Sequence, residues 1–257
     1  MIDIERAKRA FKEYVSKYNE EDDKIRLKII HTYDTVNAAK YIANDLGLDK
    51  EDCDLAELIA LLHDIGRFEQ VKRYNSFDDH TTIDHADFGV EILEENNLLR
   101  EFVEKDIYDS IIKTAIKYHN NYKMPEGLGE KEDLHIKIIR DADKLDNFNV
   151  KQVVSPEVLF GITMEELEKE YVSEHIYNTF LNRKLILVTD RVTNMDKWVS
   201  YLAFIFDYNF SSGLKYIKEK DYINILVDRV KYKNEDTKQK MEVIRKVALE
   251  YIEERIK

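Results

Sequence analysis

Helix breakers are scarce in this chain. Its 257 residues include seven glycines and two prolines, and Glu, Lys, Leu, Ile and Ala are abundant, so signals that end or kink a helix are few and far apart. That balance argues for an all-α fold. Cysteine is nearly absent too. Cys53, the single thiol, has no partner for an internal disulfide and sits in an apolar-periodic segment, as suits a small buried side chain in a reducing cytoplasm. No stretch reaches the roughly 20 apolar residues that a bilayer span needs. The opening MIDIERAKRAFKEY is charged and amphipathic, without the apolar core of a signal peptide. The expectation is a cytoplasmic protein with no membrane partner. Positive charge is also in deficit: 40 Lys and Arg against 52 Asp and Glu leave a net charge of -12. Such a surface repels polyanions and disfavours bulk nucleic acid, though not a small phosphorylated substrate held through metal ions.

What the chain does contain is helical periodicity. Ile4, Ala7, Phe11, Tyr14, Val15 and Tyr18 recur at helical spacing over residues 3–18. A second helix is expected over about 23–46, stopped by Gly47, and His31 lies inside it. Leu55, Leu58, Ile59 and Leu62 form an apolar stripe over about 50–63; His63 falls on the inward side with Ala56 and Ile59, and Gly66 is expected to break the chain just beyond. A polar loop over about 73–82 precedes helical patterns at 84–95, which holds His85, and 101–118, which ends just before His119. The turn-rich HNNYKMPEGLGEKED leads to a further helix, LHIKIIRDADKLDNF, that carries Asp143. Beyond about residue 155 only helical patterns appear, at 195–206 and 238–256 among others, and these are expected to pack on the core and shape the pocket. The aromatic WVSYLAFIFDYNF could bury either intramolecular or subunit contacts, with the intramolecular core the favoured expectation and the oligomeric state open. With no repeat and no low-complexity linker, one principal domain with a helical extension fits better than two domains.

A His followed at once by an Asp at the end of a buried helix is unusual, because a buried carboxylate is costly without a cation. A metal supplies one. Histidine and aspartate converging from several helices make a divalent-metal site with room for water and substrate.

The string LLHDIGRF resembles the HD superfamily of metal-dependent phosphohydrolases, in its HDIG variant. The family order of His, His-Asp and a late Asp is met by His31, His63-Asp64 and the Asp of RDADKLD, where the Ala-Asp-x-Leu pattern favours Asp143 over Asp141. His85 in DHADFGVEIL resembles the His-x-x-x-Gly helix of two-metal members, and His119 in KYHN falls where such members place another ligand. The resemblance, over about residues 25–150, thus implies a single HD-type domain with a helical extension over about 155–257. It also implies a centre of one or two ions: His31, His63, Asp64 and Asp143 hold one, and where His85 and His119 carry over they hold a second that Asp64 bridges. The ions would be divalent, with Mn, Mg, Fe, Co, Ni and Zn all eligible. The Gly-Tyr-Pro element of the cyclic-dinucleotide phosphodiesterase branch is missing after His119, which argues against that activity.

The chemistry so implied is hydrolysis of a small phosphorylated substrate by a hydroxide formed at the metals, with Asp64 at the centre and Arg67 and Lys144 offsetting phosphoryl charge. The resemblance also admits a di-iron oxygenase, which uses the same six-residue set, and a non-catalytic metal-binding regulator is a third reading. His80, His135 and His175 have no counterparts in the family pattern, and Asp84, Asp141 and Asp146 are candidates to orient the ligands.

Overall fold

Apolar residues three and four positions apart carry the chain into helix after helix. In the computed structural model, which describes residues 2–121 and 123–257, no strand occurs among the described residues. The chain divides into two compact units, Met1–Asp143 and Lys144–Lys257. None of the described helices is long and apolar enough to cross a membrane.

The first unit opens with α1 (Ile4–Val15), capped by Asp3 and burying Ala7, Phe11, Tyr14 and Val15. Then come α2 (Asp23–Asp45) and α3 (Lys50–Leu62), separated by Gly47, whose φ of +68° admits the left-handed turn that stops α2. Every residue of α3 from Asp54 to Leu62 is buried, so this helix is the spine of the unit, with α2 and α1 packed on it. Full burial of Leu55, Leu58, Ile59 and Leu62 stabilises the unit by about 1.5–3 kcal/mol per side chain. The chain turns at His63-Asp64 into α4 (Ile65–Tyr74), continues through a loop to α5 (His85–Glu94), and then reaches α6 (Leu99–Phe102) and α7 (Asp109–Tyr118). α5 packs on both α4 and α7. The long α8 (Glu130–Val153) brings Asp143 at the end of the unit.

Two expectations are corrected here. Gly66 does not break the chain; it lies in the first turn of α4. The single helix expected over 101–118 is instead α6, an extended Val103, a 3-10 turn at Asp106–Tyr108 and α7. The guanidinium of Arg6 explains that break: it donates to the carbonyls of Arg100 and Glu101 and pairs with Glu104, satisfying the end of α6 from outside the helix.

The second unit holds α9 (Pro156–Phe160), α10 (Met164–Leu167), α11 (Glu174–Leu181), α12 (Asn194–Leu202), α13 (Ser211–Glu219), α14 (Tyr222–Asp228) and α15 (Glu235–Arg255). α15 packs against α11, α13 and α14. Trp198, Val199, Leu202, Ala203, Ile205 and Tyr208 are buried and join the core of this unit, while Tyr201, Phe204, Phe206 and Phe210 are half-buried. Buried Asp196 ties α11 to α12, accepting from Ser173 N at 2.8 Å, Ser173 Oγ at 2.6 Å, Val192 N at 3.0 Å and Thr193 N at 3.1 Å.

Candidate metal centre

Aspartate at a helix N-terminus usually spends its carboxylate on the free N–H groups of its own helix. Asp3, Asp22, Asp49 and Asp84 all do so. Asp64, at the start of α4, makes no such bond, and its backbone (φ −108°, ψ 18°) lies outside the helical region. Its carboxylate is directed instead at four histidines. His31 comes from the middle of α2, His63 ends α3, His85 begins α5 and His119 ends α7. All four rings are buried.

The two oxygens of Asp64 face different pairs. Oδ2 lies 3.5 Å from His31 Nε2 and 3.6 Å from His63 Nε2, while Oδ1 lies 3.3 Å from His85 Nε2 and 3.9 Å from His119 Nε2. Within the pairs, His31 and His63 Nε2 are 3.2 Å apart and His85 and His119 Nε2 are 3.1 Å apart. Asp143 Oδ1 joins the first pair at 3.3 Å from His31 Nε2, and its side chain keeps 28% exposure against 4% for Asp64. Asp64 is therefore the enclosed carboxylate and Asp143 the open one.

These contacts are not an ordinary hydrogen-bond network. His63 Nδ1 donates to Ala60 O at 2.7 Å, His119 Nδ1 to Ile116 O at 2.6 Å, and His85 Nδ1 to Asp79 Oδ2 at 2.6 Å. A neutral ring that donates from Nδ1 presents a lone pair at Nε2. Lone pairs that converge on each other and on a carboxylate repel unless a cation lies among them. Donors bonded to one ion at about 2.1 Å stand about 3–3.4 Å apart, close to most of the separations found here. The set fits a divalent metal.

Protonation states agree with that fit. Burial pushes His63 down and His119 down to about 3, which keeps both rings neutral. Burial opposes ionisation of Asp64, yet Lys28, the surrounding histidines and Arg67 hold its carboxyl well below the usual range. Burial also opposes ionisation of Asp143, and the bond from His31, with His63 and His119 nearby, overcomes it in the same way.

Gly66 sets the second pair in place. A Cβ there would collide with the backbone oxygen of His85 and stand 2.8 Å from Gly89 N. Only glycine lets α4 and α5 touch backbone to backbone, and that contact brings His85 to Asp64.

Three polar residues of this site escape a reading of the sequence. Lys28, one turn before His31, places Nζ 2.5 Å from Asp64 Oδ2 and lies over the Phe77 ring; its helical offset from His31 is the signal that would have found it. Asp79 and Gln70 carry no such signal, because the loop that brings them together has no periodicity. Of the two expected phosphoryl-binding cations, Arg67 lies 3.7 Å from Asp64 Oδ1 and pairs with Asp79 at 2.6 Å, while Lys144 pairs with Asp207 at 2.6 Å. Asp84 caps α5 instead of touching a ligand ring. His135 is buried against Asp52, and His80 and His175 are at the surface. Asp141 and Asp146 are buried on α8.

Fold and site together define a protein that is all-helical in its described residues, with a largely buried His/Asp cluster that could hold a metal ion. The family model "HD domain" matches residues 29–147, and the His/Asp cluster within that stretch is consistent with an HD metal site. No curated protein and no solved structure matches the chain significantly.

Proposed function

We propose that this HD domain is a metal-dependent phosphohydrolase that cleaves a phosphomonoester or phosphodiester bond in a small substrate, a nucleotide or another phosphate ester, in a cytoplasmic setting. The observation that carries this reading is the Asp64 carboxylate, which turns one oxygen to each of two histidine pairs. In the proposed centre His31, His63 and Asp143 would hold one ion and His85 and His119 the other, with Asp64 serving both. Divalent ions bound there would acidify water to near neutrality and offset phosphoryl charge.

The chain's own residues have separate tasks. Burial keeps the His63 and His119 rings neutral, and nearby donors and cations keep Asp64 and Asp143 ionised, so these four groups are ready for a cation. Lys28 brings positive charge to the Oδ2 side of Asp64. Arg67 and Lys144 are anchored cations, through Asp79 and Asp207, and would favour a phosphoryl group by local charge in a molecule whose net charge is -12.

A panel of phosphorylated metabolites assayed with Mn, Mg, Fe, Co and Ni in turn tests the proposal. Phosphate or nucleotide release by the wild type, lost in Asp64→Asn with the helical signal retained, is the expected result. Oxygen uptake by iron-loaded protein, with no ester cleaved across the panel, would replace hydrolysis by oxygenation. Unchanged release in Asp64→Asn would remove Asp64 from the reaction.

A further inference from the structure

The rings of the centre are held in unequal ways. His63 and His119 each donate to a carbonyl three residues back in the same chain segment, Ala60 and Ile116. Their orientation comes with helix formation. His85 instead depends on Asp79, a residue of the loop between α4 and α5.

Asp79 is itself held from α4. Arg67 Nη1 lies 2.6 Å from Asp79 Oδ1, 2.7 Å from Phe77 O and 2.8 Å from Gln70 Oε1. Gln70, with no exposed surface, donates through Nε2 to Asp79 Oδ1 at 3.0 Å, Thr82 Oγ1 at 2.9 Å and Ile83 O at 2.9 Å. One guanidinium and one amide thus fasten both ends of the loop to α4, and they hold Asp79 so that Oδ2, which also accepts from Arg67 Nη2 at 3.4 Å, meets His85. Burial opposes ionisation of Asp79, but His85, Arg67 and Gln70 keep its pKa down at about 2. A carboxylate bonded to Nδ1 fixes the tautomer of a ligating histidine and raises the basicity of Nε2, and its loss typically costs 10- to 100-fold in metal affinity.

We infer that Arg67, Gln70 and Asp79 form a clamp that sets the affinity of the His85/His119 half of the centre alone, acting as positioning residues through His85. The His31/His63 half, with the extra carboxylate of Asp143 beside His31, is filled first and the clamped half second. Arg67 is then chiefly a fastener of the loop, since its Nη1 is already shared among three acceptors. The inference rests on the two-ion reading above.

The test is a manganese titration of the full chain, following free Mn by electron paramagnetic resonance and bound Mn by elemental analysis after dialysis. Wild type should bind two ions. Asp79→Asn, which keeps the shape and loses the charge, should leave the first affinity within about threefold and weaken the second about 10- to 100-fold. Arg67→Lys, which keeps the charge and loses the planar fork, should give the same selective loss and serves as the second variant should Asp79→Asn lose its helical signal. An unchanged first affinity reports an intact fold, because unfolding removes both. Wild type binding two ions, with both affinities lowered together or neither lowered in the variants, would overturn the clamp and leave the two-ion reading standing. Wild type binding one ion would overturn both.

Discussion

The two halves of the centre are built from the same residue types and differ in what holds them. On the Oδ2 side of Asp64, His63 is oriented by its own helix and His31 rises from the interior of a long one, with Lys28 a turn away. On the Oδ1 side, His85 stands at the first position of α5 and relies on a loop carboxylate and on a glycine contact between two helices. Local helix geometry is enough for the first arrangement, whereas the second needs several tertiary contacts to form together. The lesson is that two groups built from the same residue types can be held with unequal stability.

Asp64→Asn should have the largest effect, because it is the one residue that serves both halves. Activity should fall to the uncatalysed background and metal binding should weaken at both positions, read by phosphate release and by elemental analysis. Gly66→Ala should separate the halves. The added Cβ meets backbone on α5, which cannot yield as a side chain end can. A loss of about 1–3 kcal/mol in stability should accompany weaker binding of the second ion with the first retained, measured by thermal melting and manganese titration. Equal weakening of both positions would count against the division.

Lys28→Met probes the opposite half. Lys28 and Asp64 side chains are 17% and 4% exposed, between the surface and buried limits, so removing the ammonium should cost about 2 kcal/mol in chelator-treated protein. Added divalent metal should restore most of that loss, visible as a larger metal-induced rise in melting temperature than in wild type. The smallest effect is expected from His135, which lies outside both metal-binding groups. Burial sets its folded pKa below the ordinary 6.5. The unfolded chain therefore binds the proton more readily, and the stability His135 contributes is complete above about 6.5 and is lost as pH falls below it. His135→Gln should make the fall of melting temperature between about pH 6.5 and 5 shallower, with manganese affinities unaltered.

How far the sequence could be read follows the same division. The all-helical fold was legible because seven glycines and two prolines leave helical periodicity nearly uninterrupted. His31, His63, Asp64, His85, His119 and Asp143 stood out because the motif LLHDIGRF and its spaced partners resemble a known pattern, and the structure brings these six together. What could not be read depends on contacts between distant segments. The break at Val103 is caused by Arg6, nearly a hundred residues earlier. Gly66 reads as a helix breaker in isolation and becomes a helix contact once α5 is packed on α4. Asp79 and Gln70 meet only when the loop has closed, and no local pattern marks either.

The most direct measurement is the anomalous scattering of manganese in crystals of the full chain. Two peaks flanking Asp64 are predicted, one within bonding distance of Oδ2, His31, His63 and Asp143, the other of Oδ1, His85 and His119. A single peak, or two peaks of which either leaves Asp64 unbound, would contradict the account.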